Sequence, residues 1–255
     1  MICIYIVNEH PFYMRMCANS ISMLRQHNMQ VPIRLYLIED NCEETWQRKG
    51  MIPVEFDKTD FLKVCVLENV EVIKKPPLEH EKGFFHQNRS YFQEIPEEDV
   101  FFIDSDTFIF GDVEKLAERY TADLSASESR WMTQQGWDSE KYVQKALRPF
   151  NSGVVVWRRG WCQKWAKWLP DALESLKTAD HKANEYLRQS TRNLGGREEV
   201  SLTVFAAEND LEVSYFDQKD VHLIETQKDI DEVGKSAIFH SYTDQWGEVF
   251  NNMEK

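Results

Sequence analysis

Two short apolar runs, Ile2 to Val7 and Ile33 to Ile38, flank a segment whose apolar residues return as Phe12, Met16, Ile21 and Leu24. The runs end at polar residues and are rich in β-branched and other strand-forming side chains, so they read as buried strands. The spacing between them is close to helical and covers Pro11 to His27. Strand, helix and strand of these lengths predict a parallel pair joined by a crossover helix.

The remainder fits the same architecture. Val100 to Ile103 and Val154 to Trp157 are apolar strands, and Val213–Phe216 and Ala237–His240 are short late ones. Helices are predicted from about Gly83 to Gln93 and from Trp161 to Lys177, the second kinked or split by Pro170. Residues 41 to 82 are irregular and broken by Pro53, Pro76 and Pro77. Residues 180 to 198 are polar, hold Gly195 and Gly196, and suit a loop that closes over a site. No repeat or linker interrupts the chain. The expectation is one domain over residues 1 to 255, α/β in class, with a Rossmann-like, mostly parallel central sheet flanked by helices.

A formal net charge of −13 argues against nucleic acid as a partner, since such a binder needs a basic face. A phosphate-bearing small molecule stays compatible, because a divalent cation can reverse the field inside a cleft. The five cysteines are odd in number and widely spaced, and no CxxC occurs. That pattern predicts a reducing compartment, the cytoplasm, rather than a disulfide framework or zinc site. The apolar start lasts about seven residues, too few for a membrane span and without the basic flank of a signal peptide.

The sharpest local signal is Phe101-Phe102-Ile103-Asp104-Ser105-Asp106-Thr107. Two carboxylates one residue apart at the mouth of a buried strand are costly unless something positive joins them. Hard divalent ions such as magnesium or manganese prefer such oxygen ligands. In open α/β sheets ligands bind outside the carboxyl ends of strands, and this pair sits at one. Taken alone, the pair would be a turn. A second chemistry, that of the haloacid-dehalogenase-like phosphatases, also places DxD after an apolar strand. It wants Thr or Val two residues after the second Asp, where this chain has Phe108.

The chain resembles GT-A-fold glycosyltransferases and is most similar to glycosyltransferase family 8 and its relatives. The resemblance rests on the N-terminal strand and its helix with Ser20-Ile21-Ser22-Met23-Leu24. Further along lie Arg89, about fifteen residues before the acidic pair, and the stretch from Pro96 through Asp104, Asp106 and Gly111-Asp112-Val113. Phe150-Asn151-Ser152-Gly153-Val154 and Ile238-Phe239-His240 complete it. It runs from residue 1 to about 246.

What the resemblance implies is a transferase that moves a hexose from a nucleotide-diphosphate sugar, a UDP-sugar above all, to an acceptor hydroxyl with retention. The acceptor would be a glycan, a lipid-linked sugar or a protein. Asp104, Asp106 and His240 would hold Mn2+ or Mg2+. Asp104 and the adjoining Ser105 would also meet the donor. Asn8, at the end of the first strand, would meet the base. Asp40, ending the second strand, and Trp246 belong to the same donor set. Arg89 would contact the sugar or diphosphate, and Asn151 the transferred sugar. Where the family often has Asp-Gln, this chain has Glu198-Glu199, and either could occupy the catalytic place as base, nucleophile or electrostatic stabiliser. The family's His-Gly followed by Lys-Pro-Trp is here His240-Ser-Tyr-Thr-Asp-Gln-Trp246, without the lysine. That departure favours the competing reading, a non-catalytic nucleotide-sugar or carbohydrate-binding protein of the same fold.

Other residues read more plainly. Trp161, Trp165 and Trp168 fall at helical spacing and mark a buried helix face rather than a sugar platform. Trp131 and Trp137 would serve either packing or an acceptor sugar. His27, His181 and His222 read as surface residues.

Overall fold

A computed structural model describes residues 1–39, 58–78, 85–134, 136–175, 183, 185–186, 196–224 and 227–241. Ten strands are described: β1 Ile2–Asn8, β2 Ile33–Ile38, β3 Val70–Lys75, β4 Val100–Ile103, β5 Thr107–Ile109, β6 Leu124–Glu128, β7 Phe150–Trp157, β8 Val213–Tyr215, β9 Val221–Leu223 and β10 Ile238–His240. The larger sheet has the order β3-β2-β1-β4-β7-β6-β8, and the smaller β5-β10-β9. Pairs β1·β2, β2·β3 and β6·β8 are parallel, and β6·β7 is antiparallel. The fold is α/β with a mostly parallel central sheet flanked by helices. No helix among the described residues is long and apolar enough to cross a membrane.

The chain divides into two compact units. The first comprises Met1–Glu79, Phe101–Arg119 and Asp217–Lys255, and the second His80–Val100 and Tyr120–Phe216.

In the first unit, β1 and β2 are almost wholly buried, as apolar runs inside a parallel sheet must be. The helix Pro11–His27 joins them as predicted. Its first turn is set by Pro11, whose missing N–H costs nothing there, and by His10, whose Nδ1 accepts from the Phe12 N–H at 3.3 Å. Met16, Cys17, Ser20, Ile21 and Leu24 face inward. The smaller sheet forms when β10 pairs antiparallel with β5, Ile238 opposite Ile109 and His240 opposite Thr107. Gly111 permits that approach, since a Cβ there would lie 2.8 Å from the Ala237 Cβ.

His222 corrects the surface reading. It is 7% exposed on β9, bonds Asp229 through Nε2 at 2.9 Å and stacks on Phe239 with centroids 5.1 Å apart. Strand pairing buries the ring, and Asp229 then satisfies its nitrogen.

In the second unit, β7 is buried throughout. The helix Trp161–Ser175 runs on with Pro170 inside it rather than splitting. Trp165 stacks on Trp157 at 5.5 Å, and Trp161 and Trp168 pack their rings on Phe205. The tryptophan row is therefore packing, as its spacing predicts.

The helix expected from about Gly83 to Gln93 is, over Phe85–Glu94, a 3-10 helix. Its middle, Asn88 to Phe92, is buried throughout, with Arg89 among the buried side chains. The polar stretch expected as a loop is helical where it is described: Ala183, Glu185 and Tyr186 are helical, and Gly196–Glu208 is a helix. Ala183 and Tyr186 are buried, and Glu198 and Glu199 in the first turn favour the helix dipole. Residues 187–195, with Gly195, lie outside the described residues.

Candidate metal centre and carboxylate cluster

In the first unit, β4 carries the chain through the core to Ile103, where it turns at Asp104–Asp106 before entering β5. The β5·β10 register brings His240 to the same turn. Its Nε2 lies 3.3 Å from Asp106 Oδ1 and 3.8 Å from Asp104 Oδ2. One ligand atom from each of the three residues falls within 4.8 Å of the others. The side chains of His240 and Asp106 are 7% and 12% exposed, and that of Asp104 is 28% exposed.

This donor set fits a divalent cation. Two carboxyl groups and an imidazole offer hard oxygen ligands and one nitrogen in a partly buried turn. The nitrogen suits manganese somewhat better than magnesium.

Asn8 ends β1, 8% exposed, opposite Ile38 in the parallel register. Ser105 is in the turn between the two aspartates and is half-buried. Asp40 and Trp246 lie outside the described residues.

The second unit gathers a different set. Arg89 forms a buried ion pair with Glu198 and donates from Nη1 to the Ser152 carbonyl at 2.9 Å. Glu198 is 1% exposed. Its neighbour Glu199 leaves the helix in another direction. Glu199 Oε1 accepts from Asn151 Nδ2 at 3.1 Å, and its Oε2 accepts from the Ser129 hydroxyl at 2.9 Å. Asn151 is oriented in turn, because its Oδ1 accepts the Gly153 N–H at 3.0 Å. Glu199 thus accepts from two neutral donors at a helix N-terminus, where a carboxylate is favoured by the helix dipole.

Burial, and next the charge of Glu199, push the Tyr186 hydroxyl well above its ordinary range. Tyr186 packs edge-on against Trp137 at 5.1 Å, in a cluster with Tyr142, Met132 and Val200. Trp137 is therefore a packing residue in this structure, and the side chain of Trp131 lies outside the described ones.

The structure thus joins Asp104, Asp106 and His240 in one group and Asn151 with Glu199 in another. It directs Arg89 to Glu198. Ser129, which the sequence reading missed, belongs to no motif in Ser125-Ala-Ser-Glu-Ser129-Arg, and only its contact with Glu199 reveals it.

No family model matches the sequence, and no curated protein does. Solved structures do share its fold. The galactosyltransferase LgtC, in complex with donor and acceptor sugar analogs, matches over 99% of this chain and 96% of its own, with TM-score 0.55 and 11% identity. Mouse xyloside xylosyltransferase 1 matches over 94% of this chain and 96% of its own, with TM-score 0.53 and 12% identity. The glycosyltransferase GlyE of Streptococcus pneumoniae TIGR4 matches over 97% of this chain and 60% of its own, with TM-score 0.53 and 16% identity. The architecture is that of the GT-A glycosyltransferases.

Proposed function

We propose that the chain is a metal-dependent hexosyltransferase that uses a nucleotide-diphosphate sugar, a UDP-sugar first among the candidates, and transfers with retention. The observation that carries this reading is the convergence of Asp104, Asp106 and His240 at the carboxyl end of a buried strand in a GT-A fold. LgtC, whose structure holds donor and acceptor sugar analogs, supports the substrate class.

Asp104, Asp106 and His240 would hold Mn2+ or Mg2+. Bound there, the cation would supply positive charge against the diphosphate of the leaving nucleotide. Asn8 would meet the base, and Ser105 the donor beside the aspartates. Asp40 and Trp246 keep their assignment to the donor on the family resemblance alone. The acceptor would be a glycan, a lipid-linked sugar or a protein, and the cytoplasm is the compartment this reading favours.

Between the two glutamates we assign the reacting role to Glu199. Glu198 is committed to Arg89, and a buried paired charge cannot leave its partner cheaply. Glu199 is half-buried and aimed by two neutral donors. Its carboxylate would stabilise the oxocarbenium-like anomeric centre that develops as the nucleotide diphosphate leaves, or attack that carbon as the nucleotide diphosphate departs. Asn151 would act through Glu199 as well as on the sugar. Arg89, paired with Glu198, would position the helix end rather than grip diphosphate.

The test is calorimetric binding of UDP, GDP and CMP, with and without manganese, to wild type and Asp106→Ala. Manganese-dependent binding of one nucleotide, lost in the variant, is the expected result and names the donor class. A folded wild-type protein that binds none of the three would overturn the reading in favour of the carbohydrate-binding module or the phosphatase. Hydrolysis of a generic aryl phosphate separates those two.

A further inference from the structure

We propose that Ser241 is a positioning residue for the metal centre, an inference that rests on the metal-binding reading above. Ser241 follows His240 directly and is 1% exposed. Its backbone N–H donates to the Asp106 carbonyl at 3.1 Å, and its hydroxyl donates to the same oxygen at 2.9 Å. One residue therefore donates twice to the carbonyl of a ligand residue, and it does so from the position next to another ligand.

Asp106 needs such a hold. It lies in a turn, outside any strand, and the β5·β10 ladder reaches only as far as the Thr107–His240 pair. The backbone bond from Ser241 adds one more rung, which any residue except proline at 241 could make. The hydroxyl bond is particular to Ser or Thr. Together the two bonds fix the rotation of the Asp106 peptide and hence the direction from which its carboxylate leaves the backbone. They also tie that direction to the strand end that carries the His240 ring.

Three ligands drawn from two distant segments bind a cation tightly only when both segments hold their relative placement before the ion arrives. Without a fixed Asp106 backbone, the like charges of Asp104 and Asp106 would drive the carboxylates apart in the metal-free protein. The ion would then have to reorganise the turn. Partners that orient metal ligands from outside the coordination shell commonly change affinity by about 10- to 100-fold when removed. Ser241 keeps its backbone bond in any variant, so the lower end applies.

The experiment is titration of the full chain with Mn2+, followed by the electron paramagnetic resonance signal of the free ion. It uses wild type, Ser241→Ala, Ser241→Thr and His240→Ala, with thermal unfolding of each protein in its metal-free form. Wild type should bind one Mn2+, and His240→Ala should lose most of that affinity. Ser241→Ala should bind about tenfold more weakly while its metal-free unfolding midpoint stays near wild type. Ser241→Thr, which restores the hydroxyl, should recover the affinity. Equal Mn2+ affinity of Ser241→Ala and wild type would overturn the positioning role and leave the metal centre intact. So would a loss of affinity that follows a matching fall in metal-free stability and is not restored by threonine. Failure of wild type itself to bind Mn2+ would remove the metal centre, and the role of Ser241 with it.

Discussion

Asn151 and Glu199 form a directed pair: the Asn151 amide nitrogen donates to Glu199 Oε1, while Gly153 occupies the amide oxygen. The direction is fixed because only the NH2 end of the amide can serve a carboxylate. If Glu199 is the reacting carboxylate, replacing its charge and replacing its support should separate. Glu199→Gln should lower turnover of a UDP-sugar by about 10²- to 10⁴-fold and leave metal-dependent UDP binding unchanged. Asn151→Asp, which sets two carboxylates against each other, should lower turnover too and also lower the thermal midpoint. Steady-state kinetics with UDP binding by calorimetry reads both. A Glu199→Gln protein with wild-type turnover would remove the residue from the mechanism.

The neighbouring glutamate should behave otherwise. Glu198→Ala removes the carboxylate paired with the buried Arg89 guanidinium, and breaking such a pair costs about 3–5 kcal/mol. Arg89→Ala should cost a similar amount for the complementary reason. The double variant should be less destabilised than the sum of the two, since neither charge is left behind. Urea unfolding of the three variants measures the coupling, and strict additivity would deny the ion pair.

These two glutamates show where the sequence could be read and where it could not. The strands at Ile2, Ile33 and Val100 are legible because a strand buried on both faces needs a continuous apolar run, and that is a local pattern. The Asp104–Asp106 turn is legible because charge directly after such a run is unusual. The distinction between Glu198 and Glu199 is not local. It depends on Arg89 and Asn151, which only tertiary structure brings to the helix start. The same holds for His222, whose burial follows from the pairing of β9 with β10. The helix near Phe85–Glu94 is legible as a helix but not as a 3-10 one, because the two kinds share composition and differ mainly in period.

Burial makes one further residue measurable through pH. Desolvation holds the Cys3 thiol up at about 12, against an ordinary 9.0, on a strand position with no exposure. The unfolded chain therefore releases this proton at lower pH than the folded one. Stability from this group is fully present below about pH 9 and is lost progressively as pH rises toward about 12. Urea unfolding at a series of pH values should show this decline, and Cys3→Ala should flatten it while lowering stability at neutral pH. An unchanged slope in the variant would assign the decline to other groups.

His240 offers a test of which cation the centre prefers, apart from whether it binds one. Its nitrogen is the only non-oxygen donor in the group of Asp104, Asp106 and His240. Imidazole adds affinity for manganese more than for magnesium, whereas an all-carboxylate set suits magnesium as well. A cation that binds only the folded state raises stability by about 2.7 kcal/mol at a concentration 100 times its dissociation constant, so thermal shifts report affinity. Wild type should be stabilised more by Mn2+ than by Mg2+ at equal concentration. His240→Asp keeps three ligands and exchanges the nitrogen for oxygen, so the gap between the two ions should narrow. His240→Ala should lose most of both shifts. If His240→Asp kept the full preference for Mn2+, the imidazole would not be a ligand. Its approach to Asp106 at 3.3 Å would then be a hydrogen-bonding contact alone.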